Sequence, residues 1–281
     1  MPLVDAQGTI FGVCAGHPAD ADWQSVSQAA ADALKTRRHR CHVPLSERRD
    51  NRRGDFINLS SGVSHGGGQK FPKNLSHSTR NAQVLEELNG MECFKRLAGF
   101  GSNVMATWVP DLHDHYSDRL GKLFRHNRSL KRNFVNSVFP AVTYNMGPQI
   151  VCMKHIDFSN LAFGWCAITA LGSYNPKLGG HLVLWDCGLV IEFPPGTTIL
   201  IPSAVLAHSN TAVMEGETRY SFTQYAAGGL FRWVENGFKK ENIAAREVGM
   251  MGFLADVTEP LRMISPNARR LLSHFQSSYS L

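Results

Sequence analysis

The sequence predicts an α+β fold, with a double-stranded β-helix (jelly-roll) core and helices packed on its N-terminal side. From about residue 138 to residue 234 the chain consists of short apolar runs separated by turn signals. This part shows no helical period across about eighty residues, and helical patterns occur earlier in the chain. Many short strands at regular spacing are typical of a jelly-roll barrel.

The first elements are a strand pair and a helix. Residues 3–13 alternate in the manner of two strands joined by a turn at Gln7-Gly8. Residues 21–34 are rich in alanine, the residue with the highest helix propensity, and favour a helix.

Four apolar runs in the core are interpreted as strands. They cover residues 165–171, 181–185, 189–193 and 198–201. The turn signals between them are Asn175-Pro176, Gly179-Gly180 and Pro194-Pro195-Gly196. In a strand, side chains two residues apart point to the same side. A barrel of such strands would hold functional side chains rigidly at its open end.

The composition favours a globular intracellular protein. The chain has 281 residues, 43% of them hydrophobic, and no apolar run approaches the length of a membrane span. The first residues lack the features of a secretion signal. Six cysteines include no Cys-x-x-Cys pair, which favours free thiols in a reducing compartment over a disulfide framework or a zinc site. We therefore expect neither secretion nor membrane association.

Positive charge is concentrated in two clusters, and the net charge is +6. Residues 36–55 contain seven arginines and three acids, and residues 122–132 contain five positive charges and no acid. Clusters of this kind are expected where a protein binds phosphate backbones. The first cluster could equally be a flexible arm or a nuclear address.

The second cluster lies on a predicted amphipathic helix. If residues 116–134 are helical, four basic side chains share one face and apolar side chains share the opposite face, which would dock on the core. An ordinary solvated face is the alternative, because charged outer faces are common on globular helices. The four candidates for contact with a phosphate backbone are Lys122, Arg125, Arg128 and Arg132.

The motif that indicates chemistry is His155-Ile156-Asp157, followed by His208. Two imidazoles and one carboxylate can occupy one face of an octahedral iron, which leaves three positions for a chelating 2-oxo acid and for dioxygen. His155 is the only histidine in the chain with an aspartate two residues later. On a strand, His155 and Asp157 would point to the same side and could converge on one ion. A chance surface His-x-Asp with an unrelated His208 is the alternative.

A second part of the site follows eleven residues after His208, at Arg219-Tyr220-Ser221. The planar guanidinium of Arg219 can form two parallel hydrogen bonds with the far carboxylate of 2-oxoglutarate. Strand geometry would bring Ser221 to the same carboxylate. Together the two motifs predict a complete site for ferrous iron and a 2-oxo acid.

These motifs, with the Gly179-Gly180 turn and residues 194–197, resemble the TET/JBP oxygenases, which oxidise methyl groups on nucleic acid bases. Two longer runs, FGWCAITALG at 163–172 and QYAAGGLFRW at 224–233, look like the transposon-associated homologues of mushroom-forming fungi. The resemblance runs from about Arg53 to Phe238. It implies a dioxygenase domain at 56–238 with its core at about 138–234, an N-terminal extension at 1–55 with a basic segment, and a C-terminal extension at 239–281.

The resemblance also implies roles for individual residues. Fe(II) would bind His155, Asp157 and His208. The 2-oxoglutarate carboxylate would bind Arg219 with Ser221 beside it, and Asn145 is placed where related nucleic-acid dioxygenases have an asparagine that contacts this cosubstrate. The third substrate of the reaction would be O2.

For the nucleic acid base, the resemblance implies contacts from Asn160 and Tyr225. Asn160 stands three residues after the metal aspartate, where TET proteins contact the flipped base, and Tyr225 stands six residues after Arg219, where an aromatic ring stacks on it. One position differs, because the histidine that TET enzymes use to contact methylcytosine is Ala227 here. Loss of one hydrogen bond to the base could broaden or change the choice of base.

The expected function is therefore oxidation of a methyl group on a flipped base, most of all 5-methylcytosine in DNA. N6-methyladenine and thymine are alternative substrates. A 2-oxoglutarate hydroxylase that acts on protein or a metabolite is a rival, because fold and metal site do not fix the substrate. A catalytically silent DNA-binding protein is a second rival. We expect a nuclear protein that works as a monomer with DNA as its partner.

Overall fold

Five helices and two antiparallel sheets make up the part of the chain that the computed structural model describes, residues 1–44 and 56–240. Short 3-10 turns lie at Arg38–Arg40 and Trp185–Cys187. No helix in these ranges is long and apolar enough to cross a membrane. The helices are α1 (Trp23–Arg37), α2 (Thr79–Gly90), α3 (Glu92–Trp108), α4 (Pro110–His126) and α5 (Gly228–Glu235).

The main sheet has eight strands, and all its neighbours pair antiparallel. The spatial order is β1-β2-β9-β6-β11-β5-β3-β4. The strands are β1 (Pro2–Val4), β2 (Ile10–Gly16), β3 (Asn58–Ser64), β4 (Lys73–Asn74), β5 (Ala141–Asn145), β6 (Cys166–Ser173), β9 (Thr198–Ile201) and β11 (Thr218–Tyr225).

The small sheet has three strands, β7 (Leu182–Leu184), β8 (Leu189–Ile191) and β10 (His208–Asn210), in the order β10-β7-β8. Leu182 and Leu184 belong to one buried cluster with Ala170 and Ile199 of the main sheet. The two sheets therefore face each other and share a core. The predicted mixture of helices and antiparallel strands is confirmed, as are the four predicted strands, which appear as β6, β7, β8 and β9.

Strand β11 separates the helical core from the space between the sheets. Tyr220 and Phe222 are buried on the helical side, where the ring of Phe222 lies 5.4 Å from that of Phe94 in α3. Arg219 and Ser221 point to the opposite side, into a cavity between the sheets. Each buried aromatic side chain contributes about 1.5–3 kcal/mol. The apolar face of β11 thus fixes the orientation of its polar face.

The N-terminal strand pair predicted from the sequence is confirmed, and it belongs to the main sheet. Strand β2 pairs with β9, with Val13 opposite Leu200, so β1 and β2 extend the main sheet. Helix α1 packs across the sheet, and the Trp23 indole donates to the Gly196 carbonyl at 2.8 Å. The basic residues at 48–53 and the C-terminal residues 241–281 lie outside the described residues.

The amphipathic helix predicted over residues 116–134 was placed wrongly. Helix α4 starts at Pro110, whose fixed φ suits a first helical position, and ends at His126. Asn127 ends it, because its side-chain oxygen accepts hydrogen bonds from the backbone N–H of Ser129 at 3.1 Å and from the Ser129 hydroxyl at 2.7 Å. Residues 128–134 therefore form a loop, and the predicted basic face is broken.

Candidate active site

His155 and His208 are joined through their backbones. The N–H of His155 donates to the His208 carbonyl at 3.0 Å, and the N–H of His208 returns a bond to the His155 carbonyl at 2.9 Å. This isolated antiparallel bridge sets the two imidazole centroids 4.3 Å apart. Two segments that are far apart in sequence are thereby held as one unit.

Each of these histidines has one ring nitrogen committed to a backbone carbonyl. Nδ1 of His155 lies 2.7 Å from the Met153 oxygen, and Nδ1 of His208 lies 2.8 Å from the Leu206 oxygen. A carbonyl oxygen only accepts, so Nδ1 carries the hydrogen in both rings. Nε2 then carries the lone pair in both rings, the arrangement usual for metal-binding histidines.

Asp157 completes the group, although not by the strand geometry that the sequence suggested. Residues 154–158 form no strand, and the N–H of Asp157 instead donates to the Ser203 carbonyl at 2.8 Å. Its Oδ1 lies 3.9 Å from Nε2 of His155. Possible ligand atoms of His155, Asp157 and His208 all lie within 4.8 Å of one another, and no other such group is found among the described residues.

Arg219 is the buried cation of the site. It is 3% exposed, and its Nε has no hydrogen-bond partner in the described part of the chain. Burial raises the pKa of the neighbouring Tyr174, whose hydroxyl donates to the Phe193 carbonyl. A buried charge that is not fully paired is costly. The orphaned Nε therefore suits the carboxylate of an incoming ligand.

Asn145 and Ser221 lie side by side in the sheet. They are paired across β5 and β11, and the Asn145 amide donates to the Ser221 hydroxyl at 2.8 Å. The Oδ1 of Asn145 is buried without a partner among the described residues. Because a hydroxyl both donates and accepts, the amide can turn and present either end to the cavity. The pair can thus bind an acceptor or a donor of a ligand.

An open cavity brings these groups together. Arg219, Ser221 and Thr223 follow one face of β11, and the three candidate metal ligands lie across from them. Apolar side chains of Ile168, Leu182 and Phe193 complete the walls. Such a space, apolar with a few convergent polar groups, is typical of a small-molecule site. The same six polar residues were predicted from the sequence to form one site: His155, Asp157, His208, Arg219, Ser221 and Asn145.

The residues proposed to contact a base lie further out. Tyr225 is on the same face of β11 as Arg219 and Ser221, and is partly buried against the core between the sheets. Asn160 does not line the cavity, and its amide donates to the Ser203 hydroxyl at 3.1 Å. Ala227 is 3% exposed and packs among the helices, at the start of α5. A base would therefore not meet the Ala227 side chain.

The four basic residues predicted for a phosphate backbone do not form one face. Lys122 pairs with Asp118 at 2.8 Å. The Arg132 guanidinium lies 4.3 Å over the Phe124 ring, and burial lowers the pKa of Arg132. Arg125 remains exposed on α4, and Arg128 is exposed on the following loop. Exposed charge is thus concentrated around the loop rather than along the helix.

Sequence reasoning missed Asn210 as a support of the site. Its amide donates to the Ile150 carbonyl at 2.8 Å, and its oxygen accepts from the Cys152 N–H at 2.8 Å. It thereby ties β10 to the segment that leads to His155. Its position two residues after His208 on a strand could have indicated it, because both side chains then point the same way.

No protein-family model matches the sequence, and neither does any curated protein. Among solved structures, NgTET1 in complex with 5mC DNA matches with a TM-score of 0.56 at 14% identity, over 80% of this chain and 75% of that chain. The chain therefore shares the fold of NgTET1.

Two further structures give weaker matches. An oxidoreductase of the 2OG-Fe(II) oxygenase family from Burkholderia pseudomallei matches with a TM-score of 0.38 at 18% identity, over 70% of this chain and 76% of that chain. A Pseudomonas putida prolyl-4-hydroxylase matches with a TM-score of 0.36 at 13% identity, over 76% and 90%. TM-scores this low support no conclusion about the fold of the chain.

Proposed function

We propose that the protein is an Fe(II)/2-oxoglutarate-dependent dioxygenase that oxidises a methyl group on a nucleic acid base. One observation carries this proposal. His155, Asp157 and His208 converge on one side of a cavity whose other side holds Arg219 with an orphaned Nε. Two imidazoles and one carboxylate are the donor set preferred by non-haem Fe(II) in oxygenases. The double-stranded β-helix expected from the sequence corresponds, on this proposal, to the two facing sheets.

The residues present fit the metal and the cosubstrate. His155 and His208 would offer Nε2, and Asp157 would offer a carboxylate oxygen. The Arg219 guanidinium would bind the far carboxylate of 2-oxoglutarate, next to Ser221 and Asn145. Bound iron and 2-oxoglutarate would supply the oxidising power with which O2 hydroxylates an unactivated methyl group.

The protein's own side chains would do three things for this reaction. The Nδ1–H bonds to backbone carbonyls fix the orientation of both imidazoles before a metal arrives. Phe193 and Leu182 exclude water from the carboxylate site, which strengthens its pairing with Arg219. Tyr225 offers a ring at the outer end of the same strand face for stacking on a base.

A basic surface supports a nucleic acid as the substrate. Asn74 in β4 donates to the Ser129 carbonyl at 2.9 Å and accepts from the Lys131 N–H at 2.9 Å. This clamp places Lys73 of β4 beside the loop that carries Arg128 and Lys131. All three side chains are exposed, and none forms a salt bridge with a described carboxylate. Phosphate groups of DNA would complement this charge. Arg125 is an exposed neighbour at the end of α4.

The basic surface continues toward the cavity. Strand β3 runs parallel to β11, because both pair antiparallel with β5, and it leads into loop 65–72. This loop contacts the start of α5, because a Cβ added at Gly229 would clash with the His65 carbonyl oxygen. Helix α5 begins three residues after Tyr225. A duplex bound at Lys73 would therefore lie near the end of β11 that carries Tyr225.

5-Methylcytosine in DNA is the first candidate substrate, as the similarity to NgTET1 with 5mC DNA suggests. N6-methyladenine and thymine remain alternatives, since Asn160 is engaged with Ser203 and Ala227 is buried. Base selection would then depend on Tyr225 and on the shape of the cavity. The nuclear location and monomeric state expected from the sequence are part of this proposal.

One experiment tests the function directly. The protein is incubated with Fe(II), 2-oxoglutarate, O2 and duplexes that carry methylcytosine, methyladenine or only thymine, and nucleosides and succinate are measured by mass spectrometry. We expect one oxidised nucleoside and an equal amount of succinate. Succinate without an oxidised base would show uncoupled turnover of 2-oxoglutarate, as expected of a hydroxylase whose substrate is not a nucleic acid, and the absence of both would overturn the proposal.

A further inference from the structure

Thr223 is a cavity residue on β11 to which the proposed function gives no role. It follows Arg219 and Ser221 on the same face of the strand, and its side chain lines the cavity. A strand rises about 3.3 Å per residue, so Thr223 lies about 7 Å beyond Ser221 and about 13 Å beyond Arg219. The next side chain on this face is Tyr225, at the outer end of the strand. Thr223 therefore lies between the residues proposed for the cosubstrate carboxylate and the ring proposed to stack on a base.

The hydroxyl of Thr223 differs from the other polar groups in the cavity wall. Five described residues line the cavity with a hydroxyl or an amide: Asn145, Ser209, Asn210, Ser221 and Thr223. The first four form side-chain hydrogen bonds within the protein. The Thr223 hydroxyl forms none with a described residue, and its oxygen is not among the buried atoms that lack a partner, so it is open to the cavity. A polar group of this kind in a partly apolar cavity can fix the orientation of a ligand.

The neighbouring strands do not use this hydroxyl. Thr223 is paired with Ile168 of β6 on one side and with Thr143 of β5 on the other. The Ile168 side chain is apolar and also lines the cavity. The Thr143 hydroxyl lies 2.7 Å from the Ser60 hydroxyl of β3 and bonds to it. Because opposite residues of paired strands share one face of the sheet, Thr223 holds its hydroxyl between an apolar wall and a hydroxyl that already has a partner.

We propose that the Thr223 hydroxyl binds the substituent at position 4 of a flipped 5-methylpyrimidine, beside the methyl group that is oxidised. This inference rests on the proposed function. Position 4 carries a hydrogen-bond donor in cytosine, the N4 amine, and an acceptor in thymine, the O4 oxygen. A hydroxyl both donates and accepts, so it can bind either group.

The position of Thr223 in the cavity supports this role. Thr223 lies across the cavity from the candidate metal ligands. A base that stacks on Tyr225 and directs its methyl group toward those ligands lies over the part of β11 that carries Thr223. Position 4 is next to the ring carbon that bears the methyl group. Neither Asn160 nor Ala227 offers a polar side chain to the cavity, so Thr223 supplies a base contact that they do not.

The test compares two target bases that differ only at position 4. One is 5-methylcytosine, and the other is 5-methylpyrimidin-2-one, which has hydrogen in place of the amino group. The kcat/KM for oxidation of each base in a duplex is measured with the wild type and with Thr223→Val, which replaces the hydroxyl by a methyl group. The ratio of the two proteins on one duplex cancels the cost of flipping that base. We expect Thr223→Val to lose about tenfold on methylcytosine, as for one hydrogen bond, and less than about twofold on the analogue.

Two further variants separate the hydroxyl from the shape of the side chain. Thr223→Ser keeps the hydroxyl and should lose less than about threefold on methylcytosine, because the hydrogen bond remains. Thr107→Val is the matched control, since the Thr107 hydroxyl donates to the Asn103 carbonyl at 2.9 Å on the exposed side of α3. It should change the oxidation of neither base. The KM for 2-oxoglutarate should be the same in the wild type and in Thr223→Val.

Equal losses on the two bases, or no loss on either, would overturn the role of Thr223 and leave the proposed function in place. A raised KM for 2-oxoglutarate in Thr223→Val would do the same, because it would assign Thr223 to the cosubstrate. Oxidation of N6-methyladenine alone by the wild type would also overturn this role. Failure of the wild type to oxidise any methylated base would overturn both proposals.

Discussion

His155 and His208 lie 53 residues apart in the chain, yet each donates its backbone N–H to the carbonyl of the other. A candidate metal ligand thus helps to hold the backbone of its partner in place. The bridge depends on backbone atoms, so exchanging either side chain should leave the fold intact. This makes substitutions at the site informative about chemistry rather than folding.

We expect His155→Ala and Asp157→Ala to abolish oxidation of methylated DNA and the accompanying succinate release, because either change leaves two ligands for the ion. Circular dichroism and thermal unfolding should show a folded protein. His181→Ala is the control, since the His181 ring bonds to Thr211 and lies outside the ligand group. Wild-type activity in His155→Ala would contradict the assignment of His155 as a metal ligand.

Arg219→Met should weaken 2-oxoglutarate binding at least about thirtyfold, because a buried carboxylate would lose its charged partner. Without 2-oxoglutarate the variant should be at least as stable as the wild type, since an incompletely paired buried charge is removed. Thermal unfolding with and without the cosubstrate measures both effects. Arg96→Met, which loses exposed ion pairs with Asp20 and Asp22, should keep the cosubstrate affinity. An equal rise in Tm with 2-oxoglutarate in wild type and Arg219→Met would contradict the assignment.

The double variant Lys73→Gln with Lys131→Gln should bind DNA more weakly whatever its sequence. The slope of log affinity against log salt concentration should fall in magnitude by about two, one unit for each lost phosphate contact. A salt titration of duplex binding measures this. Lys35→Gln with Lys177→Gln removes the same charge from other exposed positions and should leave the slope unchanged. Identical slopes in both double variants would show that the basic surface is an ordinary solvated surface that makes no phosphate contacts.

His115 should make the protein sensitive to acid. Burial between the rings of Phe163 and Phe231, aided by the charge of Arg119, lowers the pKa of His115 from 6.5 to about 4. Between these two pH values the unfolded state binds more protons than the folded state, so stability falls as the pH falls from 6.5 toward 4. His115→Leu should flatten this part of the curve of unfolding free energy against pH. An unchanged curve in denaturant titrations would show that His115 is not responsible.

The sequence was sufficient for those parts of the site that depend on local spacing. His155, Asp157, His208 and Arg219 were identified from short motifs, and all four line one cavity. The reason given for the first pair was wrong, because His155 and Asp157 converge through backbone bonds to His208 and Ser203 rather than through a strand. Those bonds join distant segments, and no local pattern indicates them.

Other errors in the predictions arise from hydrogen bonds of single side chains. The predicted helix over 116–134 failed at Asn127, whose side chain bonds to Ser129 and competes with the helical backbone. Periodicity alone could not detect this, because Leu130 and Phe134 are buried as a helix would require. In the same way, the hydrogen bond between Asn74 and the Lys131 N–H forms only in the folded chain. It brings Lys73 next to Lys131, a grouping of basic residues that the sequence did not suggest.

The pairing of β2 with β9 has a consequence for the edges of the main sheet. Without the first two strands, β9 would expose unpaired N–H and C=O groups beside the buried side chains of Ile199 and Ile201. An open apolar edge of this kind recruits strands from other molecules and leads to aggregation. Strand β1 is instead the outermost strand on this side, only three residues long and beginning at Pro2, which cannot donate a backbone hydrogen bond. We therefore expect the N-terminal residues to protect the fold from self-association, and a fragment that begins at Phe56 to be insoluble.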